Sequence, residues 1–499
     1  MTDAQVIVGL EVHCQLDTQS KLFCGCSTDY RSDGPNTHVC PVCLGLPGSM
    51  PVLNKKAIEY AMRVAKALNC SVLDEAEFSR KNYFYPDLDK AYQITQYDKP
   101  LAKGGYVEIE ADEGGGGKCV QITRIHVEED PGRLVHMGNA ERGRYSLVDY
   151  NRAGIPLIEI VSEPDMRSPK EARKFLNKLR ATLEYLGVFD SEKEGSLRVD
   201  ANISIAGSER VEVKNISSYK GVEKALTFEV TRQKNLLRRG QRVERETRHF
   251  LEARGITQSA RSKEQEHDYR YFPEPDLRPV NVQSWVAGIV LPELPDARRE
   301  RFMAQYGCSA NHARTLTGEL RLANFYEQVV ASGQKGLFTL AATWIADTLI
   351  GELNYRNMTI DAVKAAPFTK LLEHIQGDEC TDKSGVEVLR VMLDTIKQGL
   401  PYETPLAILD RLNLRKVSVN ITKPLAYEIT PKSGVEPNPI IKAISEVLTE
   451  QPRAVEDFRK GKKEAFNFLI GQVMKKTRGR ADPKELNRLL VEALKKREA

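Results

Sequence analysis

The chain has 499 residues, a length that predicts roughly two to four domains. Hydrophobic residues make up 41% of the chain and charged residues 28%, a balance typical of soluble globular proteins. No apolar run approaches the roughly 20 residues that span a bilayer, and the N-terminus carries no secretory or transit signature, so we expect a cytoplasmic protein that does not enter a membrane. The net charge of +4 does not by itself indicate a nucleic-acid-binding protein, so any basic surface must be local.

The first predicted element is a β-strand over residues 6–16, where polar and apolar side chains alternate. Its apolar face carries Leu10, Val12, Cys14 and Leu16. Its polar face carries Glu11, His13 and Gln15. Because Cys14 lies on the apolar face, we do not interpret it as a nucleophile.

Four of the nine cysteines follow this strand in two close pairs. The pairs form a C-x-C and a C-x₂-C motif separated by thirteen residues: Cys24, Cys26, Cys40 and Cys43. Two such pairs joined by a loop can place four thiolates tetrahedrally around Zn²⁺. Such a site has no open coordination position, so we predict a structural zinc rather than a catalytic one. The alternative is chance packing of four cysteines.

Polar side chains recur on one face of several later predicted strands. They are Arg124, His126 and Glu128, then Arg198, Asp200, Asn202 and Ser204, then Glu212 and Lys214. Glu159 lies within an apolar run, where a carboxylate is costly unless it is paired or binds a metal. One interpretation is an antiparallel sheet with a solvated face. The recurrence of carboxylates favours instead a site for Mg²⁺ and phosphate, in which Arg198 and Lys214 neutralise phosphate charge.

The pattern becomes helical after about Pro292. Residues 423–434 contain two prolines and are predicted to be a linker. The last predicted helix has Asp482 as its N-cap and Pro483 at its first helical position. Its apolar stripe consists of Leu486, Leu489, Leu490 and Leu494. Residues 114–117 are four glycines between two strand signals and predict a hairpin tip.

Six motifs in the first half of the chain now carry a specific resemblance. They are GLEVH at 9–13, RKNYFYPD at 80–87, HVEED at 126–130, PLIEIVSEPD at 156–165, EGSLRVDAN at 194–202 and DYRYFPEPD at 268–276. In this order they resemble the B subunits of the tRNA-dependent Asp/Glu amidotransferase GatCAB. The segment FLIGQVMKK at 468–476 is similar to the YqeY-like C-terminal domain of that family. Archaeal E subunits share the opening motif but carry an inserted domain that this chain is too short to hold.

The resemblance implies an α+β fold with three domains. They are a catalytic cradle domain related to glutamine synthetase and guanidino kinases with the four-cysteine zinc site (1–291), an all-α helical domain (292–425), and a small YqeY-like tRNA-binding tail (426–499). It also implies a reaction in which ATP phosphorylates the side-chain carboxylate of Asp-tRNA(Asn) or Glu-tRNA(Gln), and ammonia then displaces the phosphate. The implied partners are a GatA-type amidase that supplies ammonia from glutamine and a small GatC-type subunit.

By matching position, the resemblance assigns a set of residues to the Mg²⁺ and catalytic site: Glu11, His13, Glu128, Glu159 and Asp200. Arg198, Glu129 and Glu212 are weaker candidates. Histidine is an unusual ligand for Mg²⁺, so His13 either binds through water or orients a carboxylate.

Two basic regions are candidates for contact with tRNA. The first interleaves lysines with aromatic residues: Lys81, Tyr83, Phe84, Tyr85, Lys90 and Tyr92. It either stacks on the unpaired acceptor end or belongs to the core. The second includes Lys475 and Lys476 in the tail, where contact with tRNA phosphates competes with the interpretation of a solvated helix face.

Two other functions compete with this prediction. A small-molecule ligase of the glutamine synthetase type would use the same carboxylates, but it gives the basic tail no role. A non-catalytic tRNA-binding scaffold would explain the tail but not the carboxylates.

Overall fold

The computed structural model describes residues 5–496 except 113–115, 138–144, 194, 206, 217, 263–268, 332–334 and 417–438. The chain divides into two compact units, Met1–Pro295 and Asp296–Ala499. The first is rich in strands, and the described residues of the second are helical or irregular, with one isolated β-bridge between Cys380 and Arg415. This mixed α/β organisation agrees with the predicted order of a sheet-rich region followed by helices.

The first unit contains most of the β-structure. Its strands are β1 (Val6–Gln15), β2 (Ser71–Val72), β3 (Glu75–Ala76), β4 (Ser79–Asn82), β5 (Tyr92–Thr95), β6 (Ala102–Lys103), β7 (Tyr106–Glu110), β8 (Gly117–Glu129), β9 (Arg133–Met137), β10 (Tyr145–Asp149), β11 (Pro156–Ser162), β12 (Leu197–Ile205), β13 (Val211–Ile216), β14 (Glu246–Leu251), β15 (Ile256–Ser262), β16 (Phe272–Pro273) and β17 (Val280–Asn281). Its helices are α1 (Lys55–Ala67), α2 (Pro169–Tyr185), α3 (Tyr219–Arg238) and α4 (Gln283–Val286).

A ten-stranded sheet forms the centre of this unit. The strand order is β15-β14-β13-β12-β1-β11-β8-β6-β2, and β7 pairs with β8 outside this path. All pairs are antiparallel except β13 with β14. The predicted strand over residues 6–16 is thus β1, and it lies inside the sheet between β11 and β12.

One face of the sheet packs into the main core of the unit. Leu10, Val12 and Cys14 of β1 are at most 1% exposed, as the alternation predicted, and Val8 on the same face is fully buried. They belong to the same core as Phe175, Leu176 and Leu179 of α2. Helices α2 and α3 begin at side-chain N-caps, Ser168 and Ser218. Because the core covers one face, the polar side chains of these strands project from the other.

The described part of the unit also contains three smaller sheets: β16-β4-β5, β9-β10 and β3-β17. The predicted hairpin is confirmed by the antiparallel pairing of β7 with β8, in which Glu110 lies opposite Gly117. Two of the four glycines at its tip, Gly114 and Gly115, lie outside the described residues.

The second unit is built from helices. They are α5 (Pro295–Tyr306), α6 (Ala310–Thr317), α7 (Leu320–Val330), α8 (Lys335–Thr343), a π-helix (Trp344–Leu349), α9 (Ile350–Arg356), a short 3₁₀-helix (Ile360–Ala362), α10 (Ala365–Gln376), α11 (Asp382–Lys397), α12 (Pro405–Arg411), α13 (Pro439–Glu450), α14 (Pro452–Arg459), α15 (Lys463–Lys476) and α16 (Pro483–Lys496). The first of these begins at the boundary between the units.

The N-cap and the apolar stripe of α16 are confirmed. The Asp482 carboxylate accepts hydrogen bonds from the backbone N–H groups of Lys484 and Glu485 at 2.7 and 3.1 Å. The four leucines of the α16 stripe are 0–2% exposed, and they lie in a core shared with α13 and α15. The predicted linker at 423–434 lies outside the described residues, and the boundary at 425 stays a prediction.

One helical stretch of the second unit has the length and composition of a membrane span. The continuous helical stretch Gly336–Arg356 is 21 residues long and apolar enough on average to cross a membrane. The stretch contains Asp347 and Glu352, so it holds no unbroken apolar run of about 20 residues. A core helix of a globular protein meets the same criterion, and Leu337, Ile345 and Leu349 in this stretch are fully buried.

Candidate active site and metal centres

The open face of the sheet collects polar side chains from four neighbouring strands. Strand register places Arg198 of β12 opposite His13 of β1, His13 opposite Glu159 of β11, and Glu159 opposite His126 of β8. Directly opposed residues in antiparallel strands project on the same side of the sheet. These four residues therefore form one row across the sheet.

The first candidate metal group combines two residues of this row, His13 and Glu159, with Glu128 of β8. One ligand atom each from His13, Glu128 and Glu159 lies within 4.8 Å of the others. His13 Nε2 is 3.3 Å from Glu159 Oε2 and 3.9 Å from Glu128 Oε1. Thr95 Oγ1 donates a hydrogen bond to Glu128 at 3.1 Å. Two carboxylates at this spacing supply the oxygen ligands that Mg²⁺ prefers.

His126 completes this group, although we did not assign it to the site from the sequence. Its Nε2 atom is 3.3 Å from Glu159 Oε2 and 3.7 Å from Glu128 Oε2, and the residue is only 4% exposed. Burial lowers the pKa of His126, but the two glutamates outweigh it and raise this pKa to about 9. Conversely, burial raises the pKa of Glu159, but His126 and His13 hold it well below the ordinary value. The group is thus a buried cluster of opposite charges.

The second candidate metal group is formed by Glu11, Asp200 and Glu212, again with ligand atoms within 4.8 Å of one another. Burial raises the pKa of Glu11, and the neighbouring carboxylates raise it further. Lys214 Nζ lies 2.9 Å from Asp200 Oδ2 and 3.1 Å from Glu212 Oε1. Asn202 donates to Glu11 at 2.9 Å. Three crowded carboxylates with one ammonium leave net negative charge for a cation.

The four predicted zinc ligands, Cys24, Cys26, Cys40 and Cys43, come together in the first unit. Their Sγ atoms lie within 4.8 Å of one another. A hydrogen bond with Cys24, above other causes, lowers the pKa of Cys43 to about 4. The backbone N–H of Cys40 donates to Cys43 Sγ at 3.1 Å, and the fully buried Lys21 places its Nζ 3.6 Å from the same sulfur. Thiolate ligands, N–H donors and a positive neighbour suit a zinc site.

The turn that follows the cysteine cluster packs against Lys90, a lysine of the basic aromatic stretch. Gly45 has φ +62°, and a Cβ at this position would lie 2.3 Å from Lys90 Cγ. Glycine therefore permits both the left-handed backbone and the close approach of the Lys90 stem. Lys90 Nζ in turn donates to Glu129 at 2.9 Å. Glu129 also accepts a hydrogen bond from the backbone N–H of Ile94. Its carboxylate therefore faces Lys90 and Ile94 rather than either metal group.

The basic aromatic stretch divides into exposed and inward-facing side chains. Phe84 and Tyr85 are 81% and 55% exposed. Lys81 Nζ lies over the rings of Tyr269 and Tyr83 at 4.9 and 5.8 Å from their centroids. Burial lowers the pKa of Lys81, but Glu128 and its other neighbours raise it above the ordinary value. The lysine therefore faces the first metal group, while the two exposed rings remain accessible.

Tyr92 of this stretch is engaged within the unit. The guanidinium of Arg80 lies 4.3 Å from the centre of its ring, and Arg80 also donates to Glu274 at 2.7 and 2.8 Å. Tyr97 and Tyr271 stack on each other with ring centres 4.1 Å apart.

In the second unit, the two tail lysines differ. Lys475 is exposed, and no ion pair involves it within the described residues. Lys476 Nζ lies 2.9 Å from Glu446 and 2.8 Å from Glu450. The structure thus leaves Lys475 available to an outside anion and pairs Lys476 internally.

Comparison with known proteins is consistent with both units. The model of the GatB/GatE catalytic domain matches residues 6–287, and that of the GatB domain matches residues 324–494. The chain belongs to the GatB family. It is 75% identical to the B subunit of the aspartyl/glutamyl-tRNA(Asn/Gln) amidotransferase of Methanoregula boonei over 99% of both chains. The B subunits of the same name from Methanospirillum hungatei and Methanococcoides burtonii are 65% and 50% identical, over 100% and 98% of both chains.

Membership of the GatB family makes the chain a subunit of an amidotransferase. Two residues on the polar face of the sheet, His126 and Asp130, were not assigned to the site from the sequence. His126 lies on the same predicted face as Glu128, and Asp130 ends the same motif. Period-two alternation identified the face of His126, whereas the contacts of Asp130 depend on strands far apart in the chain. The contact of Lys81 with Tyr269 is equally remote in sequence and left no local signal.

Proposed function

We propose that this GatB-family chain carries the ATP-dependent step of tRNA-dependent amidation. The side-chain carboxylate of Asp-tRNA(Asn) or Glu-tRNA(Gln) attacks the γ-phosphorus of ATP, the bond to the bridging oxygen breaks, and ADP leaves. Ammonia then attacks the acyl phosphate, loses a proton and releases inorganic phosphate. The observation that carries this proposal is the row of Arg198, His13, Glu159 and His126 with two carboxylate groups on the same open sheet face.

The residues of this face have separable roles in the proposal. Mg²⁺, bound by the two carboxylate groups, would offset charge on the ATP phosphates. Arg198 and Lys214 provide fixed positive charge beside the carboxylates. His13 lies within 3.3 Å of Glu159 and orients that carboxylate, which agrees with the reluctance of Mg²⁺ to bind imidazole. Lys81 brings a third cation towards Glu128.

Other parts of the chain have structural or binding roles. The cysteine cluster is proposed to hold a structural Zn²⁺. The proposed domain organisation is a cradle domain (1–291), a helical domain that ends at residue 425, and a tail domain that begins at residue 426. The exposed Phe84 and Tyr85 offer stacking surfaces for the acceptor end of tRNA, and Lys475 offers a phosphate contact. GatA-type and GatC-type partners are supported by the relatives being named as subunits, and a cytoplasmic location stays a prediction.

The test is transamidation by the complete complex with mischarged Asp-tRNA(Asn) and Glu-tRNA(Gln). Ammonium chloride is supplied so that glutamine hydrolysis is not limiting. Conversion of at least one substrate, with ADP formed in step with the amide, is expected. Failure on both would refute the proposal. Glutamate-dependent ATP hydrolysis without tRNA would favour the small-molecule ligase.

A matched variant separates catalysis from a scaffold role. Asp200→Ala removes one carboxylate of the second metal group and is expected to slow ATP hydrolysis by the complex roughly tenfold or more. A scaffold that only binds tRNA would leave this rate unchanged. Filter binding of tRNA to the same variant shows whether the assembly remains intact.

A further inference from the structure

Asp130 is a buried carboxylate directly after β8 and next to Glu129. The residue is 1% exposed and its side chain is fully excluded from solvent. A carboxylate in such a place is costly unless other groups compensate its charge. Its backbone is fixed on both sides, since its N–H donates to Ile155 and its carbonyl accepts from Gly154, both at 2.9 Å. The carboxylate therefore has little freedom to move.

Arg198 is the principal partner of this carboxylate. Its Nη2 donates to Asp130 Oδ1 at 2.7 Å, and its Nη1 donates to Oδ2 at 3.2 Å. This two-point contact fixes the plane of the guanidinium as well as its position. Gln15 Nε2 donates to Asp130 Oδ2 at 2.5 Å, and Arg152 Nε lies 3.7 Å from the same oxygen. Burial raises the pKa of Asp130, but Arg198 and Arg152 outweigh it and hold this pKa below the ordinary value.

The two ends of this contact differ in exposure. The Asp130 side chain is excluded from solvent, whereas the Arg198 side chain is 33% exposed. A guanidinium has five N–H donors. Two nitrogens of the Arg198 guanidinium, Nη1 and Nη2, each donate one hydrogen bond to Asp130. Arg198 also lies opposite His13 in the row across the sheet and two residues before Asp200. Arg198 is thus a strand neighbour of His13 in the first metal group and of Asp200 in the second.

We propose that Asp130 is a positioning residue that holds Arg198 in place to contact the reacting phosphate. This inference rests on the proposed function, in which Arg198 neutralises phosphate charge. A free arginine would lose side-chain entropy when fixed. Because Asp130 fixes Arg198 before ATP arrives, this cost does not fall on the reaction. Asp130 itself acts through Arg198 and does not touch the substrate.

A purely structural ion pair of the same kind exists elsewhere in the unit and provides the matched control. Glu229 of α3 is fully buried, and its carboxylate lies 2.9 Å from Arg232 and 3.1 Å from Arg248. Arg248 lies opposite Val213 in the sheet, and Val213 belongs to the apolar core. This network is therefore on the side of the sheet that packs against α3, away from the row of Arg198.

The experiment compares Asp130→Asn, Arg198→Ala and their combination in the complete complex. Asp130→Asn is expected to lower kcat for ATP-dependent transamidation roughly tenfold or more, with the KM for tRNA nearly unchanged. Addition of Arg198→Ala to Asp130→Asn is expected to add little, since both changes remove one function. Asp130→Glu keeps the charge and is expected to recover part of kcat. Glu229→Gln is expected to lower the unfolding temperature and leave kcat unchanged.

The outcomes separate this inference from the function on which it rests. Full activity of Arg198→Ala would refute the proposed role of Arg198. Reduced activity of Arg198→Ala, combined with an Asp130→Asn variant that loses only thermal stability, would refute the positioning role alone. If Asp130→Asn does not fold, Gln15→Met removes one hydrogen bond from Asp130 without changing charge. It is then expected to lower kcat in the same direction, and an unchanged kcat would overturn the inference.

Discussion

The Nε2 atom of His126 lies 3.3 Å from Oε2 of Glu159, and both side chains are buried on the open face of the sheet. Their strands, β8 and β11, are neighbours, and the two residues lie directly opposite each other. His13 approaches the same Glu159 oxygen at 3.3 Å from the other side. Without a metal ion, the two imidazoles are thus the main positive partners of this carboxylate.

The first prediction concerns the pH dependence of stability in the metal-free protein. The pKa of His126 is about 9 in the folded protein, against about 6.5 in an unfolded chain. The folded state therefore binds this proton more tightly. Its contribution to stability is complete below about pH 6.5 and is lost as pH rises through about 9. We expect the free energy of unfolding, measured by urea titration in EDTA, to fall across this window.

Replacement of the histidine checks the cause of this slope. His126→Asn is expected to flatten the fall between about pH 6.5 and 9. His136→Asn is the control, because His136 is exposed on β9 and hydrogen-bonds Ser146 rather than a carboxylate. An equal slope in the wild type and in His126→Asn would show that the His126–Glu159 pair is not responsible.

The second prediction concerns magnesium at the first metal group. Glu159→Gln removes the charge of the carboxylate that both histidines approach. Changes to groups around a bound metal commonly cost about 10–100-fold in affinity. We therefore expect the Mg²⁺ concentration for half-maximal ATP hydrolysis by the complex to rise at least about tenfold.

Glu184→Gln is the control for this measurement. Glu184 lies on α2 and pairs with Arg180 at 2.9 Å, on an element that packs in the core rather than on the open face. It is expected to leave the Mg²⁺ dependence unchanged. Equal Mg²⁺ dependence of Glu159→Gln and the wild type would remove Glu159 from the metal site.

The third prediction concerns the cysteine cluster. Purified protein is expected to contain about one tightly bound zinc ion per chain, as a closed four-cysteine site does. Cys43→Ser is expected to lose this metal and to unfold at a lower temperature. Cys70→Ser is the control, because Cys70 lies outside the cluster. Metal content by mass spectrometry and thermal unfolding give both readouts without an activity assay.

Lys21 offers a finer test of the same site. Its buried ammonium contacts Cys43 Sγ, and within the described residues no carboxylate pairs with it. A four-thiolate Zn²⁺ site carries two negative charges, so this ammonium partly compensates them. Lys21→Met is expected to speed zinc release to a chromophoric chelator. A release rate equal to that of the wild type would show that the contact does not stabilise the bound metal.

The sequence predicted the faces of the strands well because side-chain alternation is a local property. Leu10, Val12 and Cys14 are buried, and Glu11 and His13 project from the opposite face, as the period of two requires. The N-cap at Asp482 was predictable for the same reason, since the capping residue and its N–H partners are neighbours in the chain.

The partners of these side chains were not predictable, because they depend on strand order. Glu159 was identified as a buried carboxylate that needs a partner, but only the pairing of β11 with β8 brings His126 to it. The spacing of the cysteines predicted their cluster but not the approach of Lys21 or Lys90. Basic residues between aromatic ones suggested a surface, yet Lys81 and Lys90 turn inward to carboxylates.

The last prediction separates the two lysines of the tail. Lys475 is exposed, whereas Lys476 pairs with Glu446 and Glu450. If the tail contacts tRNA phosphate, Lys475→Ala is expected to weaken tRNA binding and to reduce the slope of log K against log salt by about one. Lys476→Ala removes an ammonium that two carboxylates already compensate, so it is expected to change this slope less. Binding isotherms over a salt series measure both, and equal slopes for Lys475→Ala and the wild type would leave the exposed lysine as part of a solvated helix face.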